Sequence, residues 1–108
     1  MKHIFIAGPY AGDQAINVCA AVIASNTLLE AGYVPYVPHL THFWDMIRPQ
    51  FRNIWLQYHL NWLRRCDALL RLPGFSKGAD EELDFALTLN IPVFASIKDL
   101  IATMPPHD

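Results

Sequence analysis

Four short apolar runs recur along the chain, at residues 3–7, 33–37, 68–72 and 91–95. Near-continuous apolar runs of this length are typical of strands that are buried on both faces of a sheet. The second run contains Pro35, which removes a hydrogen-bond donor from the strand ladder. We therefore expect this strand to be short or to lie near an edge of the sheet.

Longer segments with helical spacing of apolar residues separate these runs. Helices are predicted at residues 14–31, 51–65 and 98–104, and a further helix begins after Ser76. Asp13 and Ser76 are suited to accept hydrogen bonds from N–H groups at helix N-termini, and Gly32 is suited to end the first helix. The apolar positions of the first helix are Ile16, Ala20, Ile23, Leu28 and Ala31. Trp55 is expected in the core or at a subunit interface.

Strands that alternate with helices favour an α/β fold, here a flavodoxin-like or Rossmann-like parallel sheet of about 4–5 strands with helices on both faces. The chain of 108 residues is near the commonest domain size, so we expect one domain over residues 1–108 with a loose tail at 105–108. In open sheets of this kind ligands bind beyond the carboxyl ends of the strands.

One carboxylate lies on the apolar side of the helix that follows Ser76. At about 100° per residue, Glu82 falls among apolar residues, whereas the other acids of the helix share the opposite arc. Burial of an unpaired carboxylate is costly, so such a group is paired, neutralised through a raised pKa, or held in a pocket for chemistry. Two interpretations are open: Glu82 acts in a pocket, or its side chain extends from the apolar arc to a basic partner.

The loop after the first strand, Gly8-Pro9-Tyr10-Ala11-Gly12-Asp13, leads into a helix N-terminus. Free N–H groups at such an end favour anions or polar ligand edges. The loop matches neither the Rossmann glycine pattern nor the Walker pattern, so a dinucleotide or triphosphate site is not supported. A plain turn between strand and helix is the alternative interpretation.

Residues 38–49 are rich in histidine and aromatic side chains and are predicted to form an irregular segment that carries function. His39, His42 and Asp45 offer potential metal ligands, but no cysteine joins them and their spacing matches no common zinc pattern. The two imidazoles beside Trp44 fit better as a lining that stacks on and hydrogen-bonds a flat heteroaromatic ligand.

The composition of the chain limits the kinds of binding partner that are expected. Hydrophobic residues make up 53% and charged residues 17%, against a usual ~25% charged, so we expect a homodimer or higher homo-oligomer that covers apolar surface. A net charge of -2 with scattered Lys and Arg gives no footprint for duplex nucleic acid. The chain turns at Gly8-Pro9 too soon for a signal segment and has no membrane-spanning run, so a cytoplasmic protein is expected. Cys19 and Cys66 are expected to be reduced core thiols.

Five segments of the chain carry a wider pattern: IFIAGPY at 4–10, PHLTHFW at 38–44, CDALLRLPG at 66–74, S-x-G-A-x-x-E at 76–82 and IPVF at 91–94. In this combination the chain resembles the nucleoside 2-deoxyribosyltransferase superfamily, specifically its small DUF4406-like branch. In characterised relatives a Glu in the position of Glu82 attacks the anomeric carbon of a nucleoside or nucleotide and releases the base. Water or a second base then resolves the glycosyl-enzyme ester. The resemblance implies this role for Glu82, and a carboxylate in a partly apolar pocket suits it.

The resemblance also implies roles for other residues. Tyr10 would hydrogen-bond near the sugar or the nucleophile, and Gly8, Pro9 and Asp13 would belong to the substrate site. His39, His42 and Trp44 would shape the base pocket, while Ser76 and Gly78 would receive the 5′ group. The chemistry needs no metal or organic cofactor.

Four positions bear on the choice of substrate. Relatives that act on 5′-monophosphates carry a Ser at the position of Ser76, where many nucleoside transferases carry an acid, and a hydroxyl tolerates a dianion better. However, Pro9 and Ala11 stand where nucleotide hydrolases bind phosphate through Ser and Arg. His59 stands where relatives commonly have an Asp that positions the sugar or serves the leaving base. If it acts there, an unperturbed imidazole titrates near neutral pH.

The sequence therefore predicts an enzyme that cleaves or transfers the N-glycosidic bond of a small-molecule nucleoside or nucleoside 5′-monophosphate. Two alternatives are open. The His59 departure would suit a nucleotide-binding sensor without turnover, and the same nucleophile would also serve glycohydrolysis of NAD or a nucleotide-derived signal.

Overall fold

The structure is a computed structural model and describes residues 1–107. At its centre is a parallel sheet of four strands, β1 (His3–Ala7), β2 (Val34–Tyr36), β3 (Ala68–Arg71) and β4 (Val93–Phe94). Their order across the sheet is β2-β1-β3-β4. Each coincides with a predicted apolar run. The strand that contains Pro35 is three residues long and lies at an edge, as its missing donor predicts.

The helices are α1 (Gln14–Glu30), α2 (Thr41–Ile47), α3 (Arg52–Leu63), α4 (Lys77–Thr88) and α5 (Ile97–Thr103), with a 3-10 turn at Pro38–Leu40. Residues 38–47 are thus helical, and the expectation of an irregular segment was wrong. Pro38 suits the start of a helical turn because it lacks the N–H that such a position leaves free. The Thr41 hydroxyl then donates to the Pro38 carbonyl at 2.8 Å, which ties the turn to α2.

Alternate residues of β1 enter two separate cores, one on each face of the sheet. Ile4 and Ile6 pack with residues of α1 and α5, including Leu28 and Leu100. Phe5 and Ala7 pack with Leu63, Leu69, Ala79 and Ala86, which belong to α3, β3 and α4. Because successive strand side chains point to opposite faces, this arrangement places helices on both sides of the sheet, as predicted.

Most of the apolar residues that were expected on the buried face of α1 lie on the side of the helix that is exposed. Ala21, Ser25 and Leu28 are buried, whereas Ile16 and Ile23 are 64% and 63% exposed. Small side chains let α1 approach the sheet closely, and the Ser25 hydroxyl is satisfied by the Ala21 carbonyl at 2.7 Å. Cys19 is also exposed, so the expectation of two core thiols was wrong for this one. The exposed apolar face agrees with the predicted oligomer, which stays a prediction.

The C-terminal segment is held against the start of the chain. The buried Tyr33 donates its hydroxyl hydrogen to the Met104 carbonyl at 2.6 Å, and the Lys2 N–H donates to the Pro106 carbonyl at 3.0 Å. The tail is therefore held at Pro106, where it was expected to be loose, and Asp108 lies outside the described residues. Within residues 1–107, no helix has both the length and the apolar character needed to cross a membrane.

Tyr33→Phe should lower the free energy of unfolding by about 1 kcal/mol, because the Met104 carbonyl loses its donor while the ring stays packed. Urea unfolding monitored by circular dichroism measures the change. Tyr58→Phe is the matched control, since within residues 1–107 the Tyr58 hydroxyl has no hydrogen-bond partner. Equal losses in both variants would show that the hydroxyl of Tyr33 does not hold the C-terminal segment.

Candidate active site

A cavity of about 670 Å³ opens beyond the carboxyl ends of β1, β2 and β3. It lies between the β1–α1 loop, the start of α2, one side of α3 and the N-terminus of α4. Its volume falls within the range of small-molecule sites. Its lining includes the following polar and aromatic residues: Tyr10, His39, His42, Asp45, Arg52, Trp55, His59, Ser76 and Glu82.

Glu82 lies on the inner face of α4, between the buried residues Ala79 and Ala86, and is only 8% exposed. Its two acidic neighbours have basic partners: Glu81 pairs with Arg52 at 2.6 Å, and Asp80 pairs with Arg71 at 3.1 Å. In contrast, the Glu82 carboxyl group has neither a hydrogen bond nor an ion pair within residues 1–107. The alternative of a side chain that extends to a basic partner is therefore not what the structure shows.

Burial raises the pKa of Glu82 to about 8, and the nearby Glu81 carboxylate adds to the increase. The guanidinium groups of Arg71 and Arg52 oppose it without cancelling it. Desolvation disfavours the charged form of a carboxyl group, so burial favours the protonated form of Glu82 at neutral pH. A ligand that develops positive charge beside Glu82 would favour its ionised form.

The N-terminus of α4 is fixed by the cap predicted from the sequence. Ser76 Oγ accepts a hydrogen bond from the Ala79 N–H at 3.1 Å. This cap begins α4 at Lys77 and places Gly78 on the cavity wall, where a Cβ atom would lie 3.9 Å from Nη2 of Arg52. The hydroxyl hydrogen of Ser76 and a guanidinium group therefore border the same end of the cavity.

Tyr10 and His42 form a pair on the part of the wall that the β1–α1 loop and α2 contribute. The Tyr10 hydroxyl lies 2.5 Å from Nδ1 of His42, and the two rings meet edge to face. Three residues further along α2, Asp45 Oδ1 accepts from the Trp55 indole N–H at 2.7 Å and from the Gln50 N–H at 3.0 Å. These two hydrogen bonds lower the pKa of Asp45, and the charge of a protonated His42 lowers it further.

His39 holds the β1–α1 loop in place through hydrogen bonds to its backbone. It is 4% exposed, and its Nε2–H is shared by the carbonyl oxygens of Gly8 and Pro9 at 3.2 and 3.0 Å. Two carbonyl acceptors assign the hydrogen to Nε2. Burial lowers the pKa of His39, while the carbonyl contacts oppose the decrease. His39 is thus a neutral support of the loop that carries Tyr10.

His59 faces the same cavity from α3 and is 8% exposed. Its Nδ1 lies 3.1 Å from the Tyr36 hydroxyl, and its Nε2 lies 3.4 Å from the Thr41 hydroxyl. Burial, with a smaller effect of His39, lowers the pKa of His59 to about 4. The imidazole is therefore neutral at physiological pH, in contrast to the near-neutral titration expected from its sequence position.

Eight of the predicted site residues lie together on the cavity wall: Gly8, Tyr10, His39, His42, His59, Ser76, Gly78 and Glu82. Three others lie elsewhere. The ring of Pro9 packs against Gly74, so closely that a Cβ atom on Gly74 would lie 2.8 Å from it. The Asp13 side chain accepts a hydrogen bond from the Ile16 N–H and caps α1. Trp44 contacts Trp55 and Tyr58 and is 50% exposed. Trp44 points away because α2 is helical, so neighbouring side chains diverge by about 100°.

Sequence reasoning missed Arg52 and Trp55 as lining residues. Both belong to the first turn of α3, and Trp55 stacks on His59 with ring centroids 6.1 Å apart. A signal was present, because Trp55 precedes His59 by one helical turn and should share its face. Within residues 1–107, no three His, Cys, Asp or Glu side chains are grouped to hold a metal ion.

The fold is shared with a protein of known structure. It is similar to the solved 2-deoxyribosyltransferase of the psychrotolerant bacterium Bacillus psychrosaccharolyticus, with a TM-score of 0.69 and 19% sequence identity over 94% of this chain and 80% of that one. This similarity shows the fold alone, and the superfamily resemblance stays a prediction. No curated protein is significantly similar in sequence. The chain belongs to the DUF7768 family, a domain of unknown function whose model matches residues 2–96, so the DUF4406-like branch stays a prediction.

The buried carboxyl group should leave a signature in the pH dependence of stability. A pKa raised from 4.5 to about 8 stabilises the fold below pH 4.5, and this contribution is lost as pH rises to about 8. Relative to Glu82→Gln, the wild type should therefore lose on the order of a few kcal/mol of unfolding free energy over that interval. Urea unfolding of both proteins between pH 4.5 and 8.5 measures it.

The exposed Asp84 on the same helix supplies the control for this experiment, since Asp84→Asn should run parallel to the wild type at every pH. Parallel curves for Glu82→Gln as well would mean that Glu82 is hydrated in solution and that its pKa is not raised.

Proposed function

We propose that this protein cleaves or transfers the N-glycosidic bond of a nucleoside or nucleoside 5′-monophosphate, with Glu82 as the nucleophile. The observation that carries the proposal is the contrast along α4: Asp80 and Glu81 have basic partners, whereas Glu82 lies buried and unpaired on the cavity wall. Stability alone does not account for a buried, unpaired carboxylate, and such groups cluster at functional sites.

In the proposed reaction an Oε atom of Glu82 bonds to C1′ of the sugar as the bond from C1′ to the base nitrogen breaks. The electron pair of that bond leaves with the base, and a glycosyl ester remains on Glu82. Water or a second base then attacks C1′ and regenerates the carboxylate, as in retaining glycosidases. Only ionised Glu82 can attack, and the positive charge that develops on the sugar favours that form within a cleft of low polarity.

The α4 end of the cavity suits the 5′ group. The Ser76 hydroxyl keeps its hydrogen free for a ligand, because its oxygen already accepts from the Ala79 N–H. Arg52 and Lys77 border this end, and the first N–H groups of α4 have no partner within the helix. Cations beside a helix N-terminus favour an anion, which supports a 5′-monophosphate over a free 5′-hydroxyl.

The part of the cavity wall formed by the β1–α1 loop, α2 and Trp55 suits a flat base. Tyr10, His42 and Trp55 present ring atoms to the cavity, and His39 and His59 stand behind them as neutral supports. Ring faces and edges of this kind bind a heteroaromatic base by stacking, while the few polar atoms among them select its orientation.

A second candidate function, ligand sensing without turnover, is favoured by His59. A neutral imidazole cannot supply the negative charge of the Asp carboxylate that relatives commonly have at this position. Incubation of the protein with nucleosides, nucleotides and NAD, followed by mass spectrometry for free base, separates the two candidates. Thermal stabilisation by a ligand without base release would favour the sensor.

Glu82→Ala should abolish base release while the protein stays folded, because loss of a covalent nucleophile removes several kcal/mol of transition-state stabilisation. Released base is measured by chromatography, and a slow substrate should leave a glycosyl adduct on Glu82 of the wild type only. Asp84→Asn, on the exposed face of α4, should keep wild-type activity. Retention of more than about a tenth of wild-type kcat by Glu82→Ala would exclude the nucleophile role.

Ser76→Asp should weaken binding of a nucleoside 5′-monophosphate and leave binding of the parent nucleoside unchanged, because a carboxylate would face the phosphate. Aspartate also caps helices well, so α4 should persist. Ser96→Asp is the matched control, since Ser96 caps α5 through the Asp99 N–H at 3.1 Å, away from the cavity. Equal changes for nucleotide and nucleoside in a calorimetric titration of Ser76→Asp would limit Ser76 to helix capping.

A further inference from the structure

A purine or pyrimidine leaves a sugar readily only if its departing nitrogen, or another ring nitrogen, gains a proton. In the proposed reaction the donor must therefore lie at the base end of the cavity. His59 occupies the position that serves the leaving base in relatives, but both of its nitrogens face hydroxyl groups, those of Tyr36 and Thr41. Its pKa of about 4 leaves it without an acidic proton at neutral pH. His59 cannot be this donor.

Other polar groups on this wall are also unsuited. Asp45 accepts two hydrogen bonds on one oxygen and is ionised, so it has no proton to give. The Nε2–H of His39 is held by two backbone carbonyl groups, and its Nδ1, which has no hydrogen-bond partner within residues 1–107, is buried. The Thr41 hydroxyl donates to the Pro38 carbonyl and is too weak an acid. Arg52 and Lys77 lie at the end assigned to the 5′ group.

His42 combines three features that none of these groups has together. Its imidazole lines the cavity, its Nδ1 is fixed by the Tyr10 hydroxyl at 2.5 Å, and its Nε2 has no hydrogen-bond partner within residues 1–107. Asp45 follows His42 by three residues on α2, so its carboxylate lies on the same side of the helix as the imidazole. One ring nitrogen of His42 is held by Tyr10 and the other has no partner within residues 1–107. This arrangement suits a histidine that acts as a general acid.

We propose that His42 is the general acid that protonates the leaving base, and that Tyr10 is the residue that positions it. The proposal rests on the N-glycosidic activity proposed above. It names the substrate class as nucleosides or nucleotides whose base needs a proton in order to leave.

In the imidazolium form, Nδ1–H of His42 donates to the Tyr10 oxygen, and Nε2–H donates to a ring nitrogen of the bound base. As the C1′–N bond breaks, its electron pair moves onto the base, the Nε2 proton moves to the base nitrogen, and His42 becomes neutral. Tyr10 keeps its own hydrogen throughout, and that hydrogen is free for the sugar or for Glu82. Water that enters in the second step returns a proton to His42 as it attacks C1′.

The test compares two substrates that differ only in their need for a proton: a guanine nucleoside or 5′-monophosphate, and its N7-methylated form, whose base leaves as a neutral molecule. His42→Gln should lower kcat for the unmodified compound by about 100-fold and change kcat for the methylated compound by less than about threefold. Tyr10→Phe should show the same selectivity to a smaller degree. His107→Gln, an exposed histidine far from the cavity, should match the wild type on both.

Equal losses on both substrates in His42→Gln, at an unchanged melting temperature, would overturn the proposal and limit His42 to binding. Unchanged rates on both would also overturn it. Glu82→Gln separates the two proposals, because loss of the nucleophile should abolish release from both substrates. Release of the methylated base by Glu82→Gln at the wild-type rate would contradict the nucleophile while leaving the His42 selectivity measurable. A wild type that releases neither base would overturn both proposals.

Discussion

The candidate site depends on one unfavourable feature, the burial of Glu82 without a partner. The surrounding structure fixes this position from three sides. Ser76 sets where α4 begins, Ala79 and Ala86 are small enough to let α4 approach β1 and β3, and Arg52 and Arg71 are already paired with other acids. A free basic side chain near Glu82 would form a buried ion pair and lower its pKa. The ion pairs on the exposed side of α4 therefore help to keep Glu82 unpaired.

Local patterns predicted the elements of this fold well, because each strand is a short apolar run and the caps of α1 and α4 are set by single residues. Asp13 and Ser76 accept the hydrogen bonds that their positions predict. The burial of α1 was not predictable in the same way. Its sequence is apolar nearly all round, so the face that meets the sheet is chosen by close packing of Ala21 and Ser25 rather than by hydrophobicity.

The site itself was predicted in part. Glu82 could be found because acids occupy the opposite arc of α4, which leaves a lone carboxylate on the inner face. Trp44 and Trp55 could not be distinguished, because the direction of each depends on whether residues 41–47 form a helix and on how α2 packs against α3. In the structure they contact each other edge to face with centroids 5.1 Å apart, and only Trp55 reaches the cavity.

The histidine at position 59 changes the charge balance of the cleft. A carboxylate there would place a second negative charge in the cavity that holds Glu82, and like charges at short range raise the pKa of one of the two groups. Because His59 is neutral, burial and Glu81 raise the pKa of Glu82, and only Arg71 and Arg52 oppose the increase. Among the described residues of the cavity wall, the carboxyl groups are then those of Glu82 and of Asp45, which accepts two hydrogen bonds near His42. This separation places the unpaired carboxyl group at the α4 wall and His42, whose Nε2 has no hydrogen-bond partner within residues 1–107, near α2. A nucleophile and a proton donor for a bond between sugar and base require that arrangement.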